Sequence, residues 1–149
     1  MADESDFTTA PRWLHGFDLG LLAGLGMAAL YGFLAEPVGL TWGLAAVGFI
    51  GGVVVGGAVM RGAWAGRPHP RSRRLRLMAL AIAVGSWILG VFLAYAISQA
   101  LLPQASTSVF ERISLAGFSA YFGGLFDMVR LSHAAALAAM AFMAFRGTR

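Results

Sequence analysis

Asp127, Arg130 and His133 recur at intervals of three near the start of the last apolar run. Residues three apart on a helix are neighbours, so Asp127 can pair with Arg130, and Arg130 lies beside His133. Such a trio supports ion pairing, proton exchange or capture of a small ligand or lipid headgroup. Ionisable groups inside an apolar span are costly and by default suggest a functional site. Tyr95, Ser98 and Gln99 fall at the same depth on the preceding run, Tyr31 on the first, and Glu36 just above it. The plain alternative is that Asp127 and Arg130 anchor a helix end, where an acid in the first turn suits the helix dipole.

Other chemistries lack their residues. The chain has no cysteine, which removes disulfides, thiol redox chemistry, thiolate metal sites and thiol nucleophiles together. His15 and His69 belong to one side of the expected topology and His133 to the other, so no pair bridges one iron within a chain. Zinc wants three or four convergent ligands, and Asp127 is the only carboxylate near His133. Neither a metal nor a cofactor is expected. There is no GxSxG and no HExxH, and with no lysine there is no phosphate-binding P-loop. Small multidrug transporters share this chain's size and rely on a glutamate in the middle of their first span. Here that stretch, 24–28, holds no acid, so their activity is not carried over.

The elements that must position these residues are membrane spans. Of the 149 residues 58% are hydrophobic and 12% charged, with a mean hydropathy of +0.73. Soluble chains carry about 25% charged residues. Four apolar runs approach or exceed the roughly 20 residues that cross a bilayer. The expected fold is an all-α integral membrane protein. Four transmembrane helices, at about 16–35, 41–60, 75–101 and 125–145, form two antiparallel hairpins, and a short helix at about 109–122 lies on the outer interface. A second arrangement has residues 109–130 crossing the membrane themselves. The acidic start, MADESDFTTAPRW, lacks the basic region of a cleaved signal, so the first run is expected to be retained after a polar tail, 1–15.

Local signals set the boundaries. Glu36-Pro37 closes span one, because proline disfavours helix in the residue before it. Ser108-Val-Phe-Glu111 fits a capping box that starts the interfacial helix. Gly123-Gly124 marks the corner before span four.

Three small-residue stripes run along the spans. Gly16, Gly20, Gly24, Ala28 and Gly32 mark span one, Gly48, Gly52 and Gly56 span two, and Ser86, Gly90, Ala94 and Ser98 span three. Such stripes let helices approach closely. The first two are expected to face each other, or one of them another subunit. Trp87, mid-span, reads as a packing residue.

All eleven basic residues are arginines, and nine lie in the N-terminal tail, the 61–76 segment or the C-terminus. The positive-inside rule makes that side cytoplasmic, with both termini inside a bacterial-type cytoplasmic membrane. Arg67, Arg71, Arg73, Arg74 and Arg76 in and after the basic loop would meet anionic headgroups or dock a cytoplasmic partner. This distribution speaks for orientation in a lipid bilayer and against nucleic acid.

The expected function is a non-enzymatic helix-packing subunit or scaffold. It self-associates or binds a membrane protein through its glycine faces, with Gly20, Gly24, Gly48, Gly52, Gly56 and Gly90 as packing positions. The alternative is a small transporter or a lipid- or small-molecule-binding protein that uses Asp127, Arg130, His133, Tyr95, Gln99 and Glu36. Asp127→Asn or Arg130→Gln would disable the second, and Gly52→Leu or Gly24→Leu the first.

Overall fold

The computed structural model describes residues 12–65, 72–102, 108–126 and 131–146. Among these residues the chain is helical, with no strand. Three helices are long and apolar enough to cross a membrane: α1 (Trp13–Ala35), α2 (Gly43–Trp64) and α3 (Arg73–Ala100). By length and composition they mark a membrane protein. Two short helices follow, α4 (Val109–Arg112) and α5 (Leu115–Gly123), then a 3-10 turn, Gly124–Phe126. The last helix, α6 (Leu131–Arg146), has 16 residues, roughly 24 Å of helix. The expected start of span four falls partly on residues 127–130, outside the described residues.

The helix ends follow local chemistry. α1 stops at Ala35, before Glu36-Pro37, and the connection turns at Gly39, whose φ of 64° suits a residue without Cβ. α2 runs on to Trp64, past the expected end at 60, and is closed by Ala65 in the left-handed region, its N–H on the Arg61 carbonyl at 2.8 Å. Ser72 caps α3 by accepting from the Leu75 N–H at 3.4 Å.

The expected single helix over 109–122 is two helices. Glu111 reaches back to the Ser108 N–H at 3.0 Å, which is the glutamate half of the capping box. Three residues later Ser114 starts a new helix. Its backbone is extended, its Oγ accepts from the Gly117 N–H at 3.0 Å, and its own N–H donates to the Tyr95 hydroxyl at 3.4 Å. Two serines, each able to cap, divide the segment.

Packing is set by where backbone meets backbone. A Cβ added at Gly48 or Gly52 would strike the carbonyl oxygens of Ala136 and Met140, and at Gly56 that of Ala144. The span-two ladder therefore seats α6, the two helices running in the same direction. At its other end α2 meets the start of α1. A Cβ at Gly62 would strike the His15 carbonyl, and the Arg12 N–H donates to the Ala63 carbonyl at 2.9 Å. Gly16 and Gly20 lie against Val59 of α2, while Gly24 lies against Ser86 and Gly32 against Leu93, both of α3. α1 is thus held between α2 and α3, and α6 packs on α2 and α3. α1 and α6 share no close backbone approach among the described residues. The core between them holds Leu44, Val55, Val59, Leu75, Trp87, Val91 and Leu125, all fully buried.

Candidate functional site

The gap between α1 and α6 is crossed by side chains. Tyr31 on α1 and His133 on α6 are 102 residues apart in sequence, yet the tyrosine hydroxyl and His133 Nδ1 are 2.7 Å apart. The Trp87 indole N–H, from α3, donates to the same hydroxyl at 3.3 Å. Tyr31, Trp87 and His133 are all buried, the first two at 3% and 2% exposure. Space for the tyrosine comes from Gly90, where a Cβ would sit 3.1 Å from the Tyr31 side chain.

Donor accounting fixes one proton position. An indole N–H can only donate, so the Tyr31 oxygen is the acceptor from Trp87. The contact between that hydroxyl and His133 Nδ1 takes its direction from the histidine tautomer. Tyr31 thus ties three helices at one point, its hydroxyl bonded to both Trp87 and His133. Buried polar groups left unpaired are costly, so this chain selects one arrangement of α1, α3 and α6. Chemically it is a hydrogen-bonded path inside the protein, with the Tyr31 hydroxyl at its centre.

α5 lies over the α3 end of this path. Phe122 meets Trp87 edge-on with ring centroids 5.8 Å apart, and Phe118 meets Phe92 in the same manner at 5.3 Å. Tyr95 serves as a second anchor, its hydroxyl donating to the Arg112 carbonyl at 3.3 Å and accepting from Ser114. Tyr121 donates to Glu36 at 2.6 Å, which ties α5 to the end of α1. Gly117 sits against the Tyr95 hydroxyl, where a Cβ would not fit.

The sequence-derived site residues separate accordingly. His133 joins Tyr31. Glu36 and Tyr95 join α5 and the α4–α5 corner, with Ser98 turned back onto the Tyr95 carbonyl at 2.7 Å. Gln99 is half-buried and takes part in neither cluster. Asp127 and Arg130 lie outside the described residues, as do Arg67 and Arg71 of the basic loop. Arg73 and Arg74 are exposed at the start of α3, and Arg76 stacks over the Phe145 ring at 5.6 Å. Among the described residues no group of three or more His, Asp or Glu could hold a metal ion.

Sequence reasoning read Trp87 as packing alone and did not single out Tyr121. The usable signal was chemical: Tyr and Trp each carry one polar atom, and when buried they find a partner for it.

On the outer surface two open grooves flank α1. One lies between α1 and α3, encloses about 300 Å³ and is lined by Phe17, Leu21, Leu25, Ala81, Gly85 and Leu89, among others. The other lies between α1 and α2, encloses about 470 Å³ and ends at Arg61. Gly85 and Gly57, one in each groove, have nothing within 4 Å of where a Cβ would stand. In comparisons with protein-family models, curated proteins and solved structures the chain matches none.

Proposed function

We propose that the chain is a four-span integral membrane protein of a cytoplasmic membrane with both termini inside. It serves as a non-enzymatic helix-packing subunit that self-associates or binds a membrane partner. α6 is its fourth span and α5 lies along the outer interface. Arg12, Arg61, Arg73, Arg74, Arg76 and Arg146 mark the cytoplasmic end, in keeping with the positive-inside rule.

One observation carries this reading: the α1–α3 groove has helix-receiving geometry and no occupant among the described residues. Phe17, Leu21 and Leu25 form a line at intervals of four on α1, and Ala81, Gly85 and Leu89 a second on α3. Rows at intervals of four are the ridges by which helices interlock. The small residues Ala81 and Gly85 let a third backbone come close, which is how membrane helices gain packing energy. Ser86, also in the lining, spends its hydroxyl on the Ile82 carbonyl at 2.7 Å, so the groove offers shape and little polarity. The ladder glycines Gly48, Gly52 and Gly56 are taken up by α6, which moves the partner face from the expected stripes to this groove.

Native mass spectrometry of protein extracted in mild detergent tests this. The expected result is a homo-oligomer or a stoichiometric second membrane protein, lost in Gly85→Leu while thermal unfolding is unchanged. A bare monomer from the wild type, or an assembly indifferent to Gly85→Leu, would sink the proposal.

A further inference from the structure

The α1–α2 groove differs from its neighbour by one charge, and the charge decides what fits. Leu19, Leu22 and Ala23 of α1 face Val54, Gly57 and Ala58 of α2, and Arg61 completes the lining. Gly57 and Arg61 are four apart, so the slot left by the missing side chain lies one turn from the guanidinium on the same face. Arg61 is exposed and makes no ion pair among the described residues. It sits one turn from the end of α2 at Trp64, the depth at which arginines reach the interface from an apolar stem. Arg12 adds a second exposed guanidinium at this end, its backbone tied to Ala63.

A helix is a poor occupant here. Packing it over Arg61 would strip water from an unpaired cation, a cost that only a well-placed counter-charge offsets. A phospholipid supplies both halves of the match. An acyl chain fills the apolar slot, and the phosphate meets the guanidinium in the forked geometry arginine favours. Cytoplasmic leaflets are negatively charged, so a net anionic headgroup is available on this side.

We propose that this groove is a binding site for one anionic phospholipid, its acyl chain along Gly57 and its phosphate on Arg61. The site is independent of what occupies the α1–α3 groove.

The test is native mass spectrometry of the detergent-extracted protein titrated with phosphatidylglycerol and, separately, phosphatidylcholine of the same chains. Wild type is expected to retain one phosphatidylglycerol per chain in preference to phosphatidylcholine. Arg61→Gln is expected to lower that preference roughly fivefold, the effect of one arginine charge near a membrane surface, and to lower phosphatidylcholine retention by less, because its phosphate carries a choline cation beside it. Gly57→Leu fills the slot and is expected to reduce both lipids, while Gly85→Leu changes neither. Equal retention of the two lipids by the wild type overturns the proposal. So does an Arg61→Gln variant that keeps the preference, a Gly57→Leu variant that keeps the lipid, or a Gly57→Leu variant that loses a protein partner instead. Because Arg61→Gln alters an exposed side chain, it reads the headgroup contact even if Gly57→Leu fails to fold. Loss of assembly in Gly85→Leu bears only on the packing reading, so the two can fail separately.

Discussion

Gly52 and Gly85 occupy similar places, each mid-helix in an apolar run, and their surroundings are opposite. At Gly52 the position of a Cβ is taken by the Met140 carbonyl and the Met143 side chain. At Gly85 the same position is empty. The α2–α6 seam is a place where backbone has replaced side chain, and the α1–α3 groove is a place where none of the described residues has. A glycine in the seam carries the fold. A glycine in the groove touches none of the described residues, and that is the opening the proposed partner would use. Small residues at intervals of four therefore mark close approach without saying whether the approaching surface belongs to the same molecule.

Gly52→Leu attacks the seam and has the largest expected effect. The obstacle is a main-chain carbonyl, which cannot rotate aside as a methionine tip could. Overpacking a fitted interior costs about 1–3 kcal/mol and sometimes more, and here a whole side chain must push α6 off α2. We expect loss of the folded species in size-exclusion chromatography, or a large drop in the thermal midpoint by circular dichroism. Retention of wild-type stability would show that the seam is not closed by backbone contact.

Tyr31→Phe strikes the other device that fixes α6, and it removes only an oxygen. It leaves the Trp87 N–H and His133 Nδ1 facing each other without their common partner. An unsatisfied buried group costs about 1–3 kcal/mol in general, while side-chain hydrogen bonds between membrane helices average nearer 0.6 kcal/mol. With two groups stranded we expect a loss of about 1–2 kcal/mol, read by reversible unfolding in detergent. A Tyr31→Phe, His133→Phe double variant should lose less than the sum of the two singles, since both remove the same bond. Full additivity would mean that the 2.7 Å contact is not a coupled pair.

The contrast also shows what composition and spacing could and could not disclose. The three long apolar helices were legible because hydrophobic length is a property of the chain alone. Helical depth placed Tyr31 and His133 at one level for the same reason. Which polar residues meet was not legible, because it depends on how α1 rotates against α3, and that rotation is set by Gly24 on Ser86 and Gly90 on Tyr31. The partition of the glycine stripes was hidden likewise. Gly48, Gly52 and Gly56 could have faced α1, and nothing in their spacing distinguishes α1 from α6. The break at Ser114 was hidden by its own ambiguity, since a serine within an apolar run reads equally as a helix interior or a cap. The Tyr95 hydroxyl, distant in sequence, favours the cap by taking its N–H.

The mildest prediction compares two glycines of one helix. Gly57 and Gly62 lie five residues apart on α2 and both are helical. In a helix interior alanine is better than glycine by roughly 0.5–1 kcal/mol, because glycine loses more backbone freedom on ordering. At Gly57 the added methyl meets nothing within 4 Å, so that gain should appear as a small rise in thermal midpoint. At Gly62 the methyl strikes the His15 carbonyl, and α1 must retreat from α2 where Arg12 and Ala63 are bonded. Gly62→Ala is therefore expected to lower the midpoint although its propensity gain is the same. Opposite signs from one chemical change would tie each glycine's role to its neighbour. If both variants rose, the α1–α2 contact at Gly62 would be loose enough to accept a methyl group, and the distinction between seam and groove would fail at that point.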